Sequence, residues 1–376
     1  MAAPTALQLA QELIRLRSIN PPGEEQACAE LTGKLLSDAG YRVTYHQYAD
    51  GRLNLVAELS GTGDEKPLCF TGHLDTVPLG AAPWSRDPFA ADIVGDRLYG
   101  RGSSDMKSGV AAMVRAAIDL AKTSARPQAG LVLVLTVGEE TGCDGARALT
   151  GIAGALPKAG ALVVGEPTGN QPLIGHKGAL WLRASFKGVT AHGSMPEQGD
   201  NAVYKAARGV LRLSEHAFDA PRHHHLGGPS LNVGTFNGGL NVNSVPDRAE
   251  IQLDVRTIPG QSNETITREL GALLGDGAEI SRIVDVGAVA SSPQNQWISE
   301  VFDLCERLTG NRIDPKGAPF FTDASVLVPA MDNMPALILG PGETVMAHKT
   351  DEYCLVSKIE AAVELYAEIG RRWMGI

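Results

Sequence analysis

Between Thr5 and Thr168 the apolar positions alternate between a helical rhythm and short strand-like runs. A helical spacing over about Thr5 to Arg17 halts at Asn20-Pro21-Pro22-Gly23, and a second, with Cys28, Leu31 and Leu35 on one face, halts at Gly40. Tyr41 to His46 alternates, Leu53 to Leu59 and Pro67 to Gly72 are apolar, and Leu131 to Val137 is almost wholly Leu and Val. These read as strands, with Ala161 to Gly165 as another and a helix from about Ser108 to Lys122 between. The pattern predicts an α/β fold, a mostly parallel central sheet flanked by helices.

Near Lys177 the texture changes. Leu180 to Lys187 reads as an amphipathic strand, Asn201 to Ser214 as a helix, and Ser230 to Phe236 and Ala249 to Thr257 as strands with one exposed face. After Ser292 the α/β texture returns, with a helix from Trp297 to Thr309, a strand from Ala336 to Gly340 and a helix from about Val356 to Trp373. The expected organisation is a domain of residues 1–178 and 290–376, into which an α+β domain of residues 179–289 is inserted.

Composition narrows the function. The chain has 376 residues, 43% of them hydrophobic and 20% charged, which suits a globular enzyme. Its 43 Asp and Glu against 33 Lys and Arg give a net charge of -10, which disfavours nucleic acid and anionic lipid as partners. No apolar run approaches the roughly 20 residues of a membrane helix, so no membrane partner is expected. Cys28, Cys69, Cys143, Cys305 and Cys354 are scattered and never form a C-x-x-C pair, so they read as reduced thiols of a cytoplasmic protein. The N-terminus lacks a basic start and a long apolar run, and Thr5 with Gln8 resembles a capping box.

Candidate chemistry gathers where the predicted strands end. His73 follows one strand, Glu139 and Glu140 another, Glu166 a third, and His348 lies in the loop after a fourth, while Asp105 precedes the Ser108 helix. Singly, each has an ordinary explanation: a solvated loop histidine, an acidic turn, or, for Asp75 and Asp105, a turn or cap aspartate. Together they aim at the carboxyl edge of an open sheet, where ligands bind. One Asp, several Glu and two His form a hard donor set suited to two zinc or similar divalent ions bridged by a carboxylate. His223-His224-His225 sits between Pro221 and Gly227-Gly228 and reads as a solvated loop. Gly234-Thr235-Phe236-Asn237-Gly238-Gly239 lacks the Lys-Ser/Thr ending of a phosphate cradle and reads as a β turn.

The ordered segments Thr71-Gly72-His73-Leu74-Asp75-Thr76-Val77-Pro78, Gly100-Arg101-Gly102-Ser103-Ser104-Asp105-Met106-Lys107, Glu139-Glu140-Thr141-Gly142, Gly165-Glu166-Pro167-Thr168 and Ala347-His348-Lys349-Thr350-Asp351-Glu352 resemble a known family. It is that of the dinuclear zinc amidohydrolases, which includes acetylornithine deacetylase, succinyl-diaminopimelate desuccinylase, aminoacylase and glutamate carboxypeptidase. The resemblance covers nearly the whole chain. It implies two zinc ions per subunit, for which cobalt or manganese can substitute, with Asp105 bridging, His73 and Glu166 on one ion, and Glu140 and His348 on the other. Glu139 becomes the general base and Asp75 the acceptor of the His73 imidazole N–H, and a cis peptide is implied at Asp105-Met106. His192 is implied as donor to the oxyanion and Arg256, assisted by Asn243, as the grip on the substrate carboxylate; on spacing alone, Arg256 reads as a surface arginine paired with Asp254 or Glu250. Thr322 joins as a substrate contact. The inserted domain is implied to pair two chains into a homodimer.

Within the family, Gly340-Pro341-Gly342 and Met346-Ala347-His348-Lys349 look most like acetylornithine deacetylase. Pro319-Phe320-Phe321-Thr322-Asp323-Ala324 departs from the glycine-rich segment of desuccinylases, and two phenylalanines are expected to narrow the acyl pocket. The expected substrate is N-acetylornithine or a similar N-acyl amino acid. Desuccinylase, aminoacylase, carboxypeptidase and N-carbamoyl amidohydrolase activities are the alternatives, and a non-catalytic binding protein on the same fold is a remote one.

Overall fold

Thr5 opens the first helix: its hydroxyl accepts the Gln8 N–H at 3.2 Å while the Gln8 carboxamide oxygen accepts the Thr5 N–H at 2.9 Å. The helix Ala6–Arg15 then buries Leu9, Ala10, Leu13 and Ile14 on one face. This computed structural model describes residues 3–123, 127–275 and 277–376. Chain contacts divide it into two compact units. The first comprises Met1–Gly175, Ala290–Lys316 and Thr322–Ile376, and the second His176–Val289 with Gly317–Phe321.

The first unit is built on a six-stranded sheet. Its order is Arg42–Ala49, Arg52–Leu59, Leu131–Thr136, Leu68–His73, Ala161–Val164 and Ala336–Ile338. The last four run parallel to one another, and the first two form an antiparallel hairpin at one edge that joins Leu131–Thr136 in antiparallel register. Leu68–His73 and Leu131–Thr136 are buried along their whole length, as expected of parallel strands covered on both faces. The helix Ser108–Ala121 is apolar nearly all round because it packs against the helices Ala6–Arg15 and Val356–Met374 as well as the sheet. Gly109 is required in its first turn: a Cβ there would collide with the carbonyl oxygen of Gly165. That close approach brings the segment carrying Asp105 beside the strand that leads to Glu166.

The second unit is a four-stranded antiparallel sheet ordered Ser230–Gly238, Arg248–Thr257, Gly178–Lys187 and Ala278–Val286. Arg248–Thr257 alternates buried and open positions, and its inward side joins Leu180, Leu182, Phe186 and the helices Ala202–Ser214 and Asn263–Leu274 in a separate core. Two sequence readings need correction. Gly234 to Gly238 is strand, with a register shift between Val233 and Thr235, because Arg248–Thr257 supplies partners through to Gly238. The segment Gly317–Phe321, expected in the first domain, belongs with the second unit, held by Lys177 N–H on the Ala318 carbonyl at 3.1 Å and Gly317 N–H on that of His225 at 3.2 Å. All five cysteines are buried, and none of them is in a disulfide. Among the described residues no helix is long and apolar enough to cross a membrane.

Candidate metal centre

Three parallel strands end at one edge and each delivers a ligand-type side chain there. His73 is the last residue of Leu68–His73, Glu139 and Glu140 follow Leu131–Thr136, and Glu166 follows Ala161–Val164. Asp105 comes from the irregular turn Ser103–Lys107 that leads into the buried helix, and its peptide bond to Met106 is cis. His348 lies beyond Ala336–Ile338 with φ of 63°, in the left-handed region. All six side chains lie within the first unit.

Asp105 presents its two oxygens to two different histidines. Oδ1 is 3.2 Å from His73 Nε2, and Oδ2 is 3.4 Å from His348 Nε2. Glu166 Oε1 stands 3.7 Å from His73 Nε2, and Glu140 Oε2 stands 3.0 Å from His348 Nε2. Donors bound to one tetrahedral zinc at roughly 2.0–2.2 Å lie about 3.3 Å apart, so these spacings suit metal ions. The donor atoms of His73, Asp105 and Glu140 fall within 4.8 Å of one another, as do those of His73, Glu139 and Glu166. Glu140 Oε1 is buried without a hydrogen-bond partner, a lone pair that a cation would satisfy.

Electrostatics describes the same centre in another way. Burial pushes the carboxyls of Glu139 and Glu166 well above their ordinary range, and neighbouring carboxylates push them further. Glu140 is raised by burial and by the Asp105 charge. Hydrogen bonds to Asp105 and Glu140 lift His348 to about 10. Burial opposes a charge on His73, yet its bonds to Asp105 and Asp75 hold it well above the usual imidazole range. Carboxylates crowded in this way favour bound protons or a cation, and a divalent ion held there would compete with protons.

Asp75 organises more than the histidine beside it. The closer partner of His73 Nδ1 is the Asp75 carbonyl oxygen at 3.0 Å, with the carboxylate Oδ1 at 3.5 Å. That carboxylate accepts the backbone N–H of Glu139 at 3.2 Å and of Glu140 at 3.3 Å, and the Asn20 carboxamide N–H at 2.9 Å. Asn20, read from sequence only as part of a helix stop, therefore belongs to the centre's support. Asp323 was likewise missed. It is buried, accepts a hydrogen bond from the Thr136 hydroxyl, adds to the upward push on Glu139, and is itself pushed up by burial to about 6. Its neighbour Thr322 is also buried, and its hydroxyl oxygen accepts the Ala324 N–H at 3.1 Å.

His192, Asn243 and Arg256 all lie in the second unit. His192 is exposed, with Nδ1 2.8 Å from Ser194 Oγ, and the adjoining Gly193 N–H donates to the Asn243 carbonyl at 2.7 Å. The exposed His192 and Asn243 thus share one loop pair. Arg256 holds Asp254 through Nε at 2.9 Å and Nη2 at 3.2 Å. The same Asp254 accepts the Trp181 indole N–H at 3.0 Å, and Trp181 meets the edge of Phe321 at 6.1 Å. The His223 ring accepts the N–H groups of His225 and Leu226 within its own loop.

Residues 69–372 match the model of peptidase family M20/M25/M40. A succinyl-diaminopimelate desuccinylase of Cereibacter sphaeroides is 32% identical over 96% of this chain and 97% of its own. A probable succinyl-diaminopimelate desuccinylase of Staphylococcus epidermidis is 30% identical over 98% and 97%. Among solved structures, an M20 family metallo-carboxypeptidase of Sulfolobus solfataricus superposes with a TM-score of 0.82 over 100% of both chains at 20% identity. A tripeptidase of Staphylococcus aureus gives 0.77 over 99% and 98%, also at 20%.

Proposed function

Because this chain belongs to peptidase family M20/M25/M40 and is a metal-dependent hydrolase acting on amides, we propose that it deacylates an N-acyl amino acid with two divalent ions. The observation that carries this reading is the division of Asp105, with one oxygen towards His73 and the other towards His348. Asp105, His73 and Glu166 would hold one ion, and Asp105, Glu140 and His348 the other. The nitrogen and oxygen donors suit zinc, with cobalt or manganese as substitutes.

The chemistry that two bound divalent ions would supply here is a more acidic water and a polarised acyl oxygen. Glu139 takes the proton of the attacking water and returns it to the departing amine. Its raised proton affinity in a buried site fits a group that must both accept and release a proton. Asp75 holds the Glu139 and Glu140 amides in place. His192 donates to the oxyanion, Arg256 takes the α-carboxylate in its guanidinium fork, and Asn243 and Thr322 offer further contacts to the substrate. Residues 179–289 join two copies as a homodimer in which His192 serves the partner's centre. Mixing inactive His192→Ala with inactive Glu139→Ala protein should then regain activity, and an active monomer would refute the sharing.

For the acyl group, the desuccinylase relatives favour an N-succinyl amino acid such as N-succinyl-diaminopimelate. Phe320 and Phe321 favour a smaller acyl group and keep N-acetylornithine as the second reading. The test is a panel of N-succinyl, N-acetyl and N-carbamoyl amino acids with added zinc or cobalt, scored for succinate, acetate or ammonia. Hydrolysis of peptides alone would overturn the deacylase reading.

A further inference from the structure

Glu352 is fully buried, and both of its oxygens are taken by the loop that leads into Asp105. Oε1 accepts the N–H of Ser104 at 2.8 Å and of Asp105 at 3.0 Å. Oε2 accepts the N–H of Gly102 at 2.9 Å and Arg101 Nη1 at 2.7 Å. Gly102, with φ of 84°, sits in the left-handed region that turns successive N–H groups toward a single anion. Arg101 is itself 1% exposed and also donates to the carbonyl of Lys349 at 3.3 Å. Two more bonds tie the same segments: Gly100 N–H to the Glu352 carbonyl at 3.0 Å, and Ser104 Oγ to the Tyr353 carbonyl at 2.7 Å.

Only a carboxylate can accept from four donors arranged in this way. An amide in its place would turn an NH₂ group toward other N–H groups and leave buried donors unpaired. Glu352 follows His348 along the chain, and its side chain fixes the backbone of Asp105. We infer that Glu352 is a positioning residue: it locks the loop carrying Asp105 to the segment carrying His348 and so sets the spacing of the two donors, now 3.4 Å. The inference rests on the reading of Asp105 and His348 as metal ligands. A plainer role, balancing the buried charge of Arg101, makes different predictions.

Glu352→Gln keeps the length and loses the charge, whereas Glu352→Asp keeps the charge and falls short of the loop. Each should weaken zinc affinity, measured by chelator competition, roughly 10- to 100-fold, and lower kcat while KM changes little. The double variant Arg101→Met/Glu352→Gln should recover melting temperature relative to Glu352→Gln but not zinc affinity. Wild-type affinity in either single variant, or its recovery in the double variant, would overturn the inference and leave Glu352 as a counter-charge. If neither single variant folds, the double variant, which loses the buried Arg101 charge together with the carboxylate, decides by the same affinity measurement, and wild-type zinc affinity there overturns the inference. Should Asp105→Ala protein still hold two ions as firmly as the wild type, the metal-centre reading itself fails, and the inference with it.

Discussion

Asp75 accepts the backbone N–H of Glu139 at 3.2 Å, so the residue that neighbours one proposed ligand in sequence also holds the proposed base in place. The coupling is direct. One residue faces His73 with its backbone carbonyl at 3.0 Å and its carboxylate at 3.5 Å, and the same carboxylate holds the Glu139-Glu140 peptide.

Asp75→Ala is therefore expected to lower both metal affinity and kcat by roughly 10- to 100-fold, the range for partners that orient metal ligands. It should also destabilise the fold, since the N–H groups of Glu139, Glu140 and the Asn20 carboxamide all lose an acceptor, at about 1–3 kcal/mol for each donor left buried and unpaired. Chelator titration with thermal melting checks this. Unchanged metal affinity would confine Asp75 to holding Glu139.

Glu139→Gln preserves shape and removes the proton acceptor. Both ions should stay bound by elemental analysis, while turnover falls by about 10²- to 10⁴-fold, the usual contribution of a general base. Loss of an ion from this variant would make Glu139 a ligand.

The raised carboxyls and histidines set a pH dependence with a definite sign. Glu139, Glu140, Glu166, His73 and His348 all bind protons more tightly folded than unfolded. Their stability contribution in metal-free protein is thus fully present below the unfolded values and is lost as pH rises, for His348 through about 10. Chelated protein should melt lower at pH 8 than at pH 5.5, while metal-loaded protein, its protons displaced, should change less. The gap between the two forms should therefore widen with pH. A gap that narrows would contradict the proton-for-metal exchange.

Arg256→Lys tests the carboxylate grip. Arg256 already holds Asp254 through two nitrogens, so a substrate carboxylate bound as proposed would have to share or displace that partner. The variant should lose roughly 2–4 kcal/mol in kcat/KM on N-acyl amino acids, the scale of one member of a buried charge pair. An amide substrate without the carboxylate should be hardly affected. Equal losses on both would assign Arg256 to the sheet through Asp254.

Leu131–Thr136 and Leu68–His73 were readable because strands buried on both faces carry nearly unbroken apolar runs. The helix Asn263–Leu274 and the strand Ala278–Val286 were not identified, the strand being open to solvent at most positions, with no comparable run. The carboxylates and histidines of the centre stood out because each follows a legible strand or lies in a recognisable segment. Their supports did not. Asn20 reaches Asp75, and Glu352 reaches Ser104 and Asp105, through contacts between residues far apart in the chain, which no local spacing records.

The first unit's sheet takes its edge strand Ala336–Ile338 from beyond the whole of His176–Val289, and His348 comes later still. On a ribosome, the four ligand-type side chains from His73 to Glu140 emerge long before these pieces exist. A nascent chain would present a half-built cluster of carboxylates to whatever cations surround it. The edge strand is held in turn by the helix Val356–Met374, whose Tyr366 hydroxyl donates to the Leu339 carbonyl at 2.6 Å, so the full set of proposed ligands is framed only by residues made after His348. With the proposed ligands, discrimination among cations would belong to the folded protein, because the order of synthesis presents only part of the donor set until the edge strand and His348 arrive.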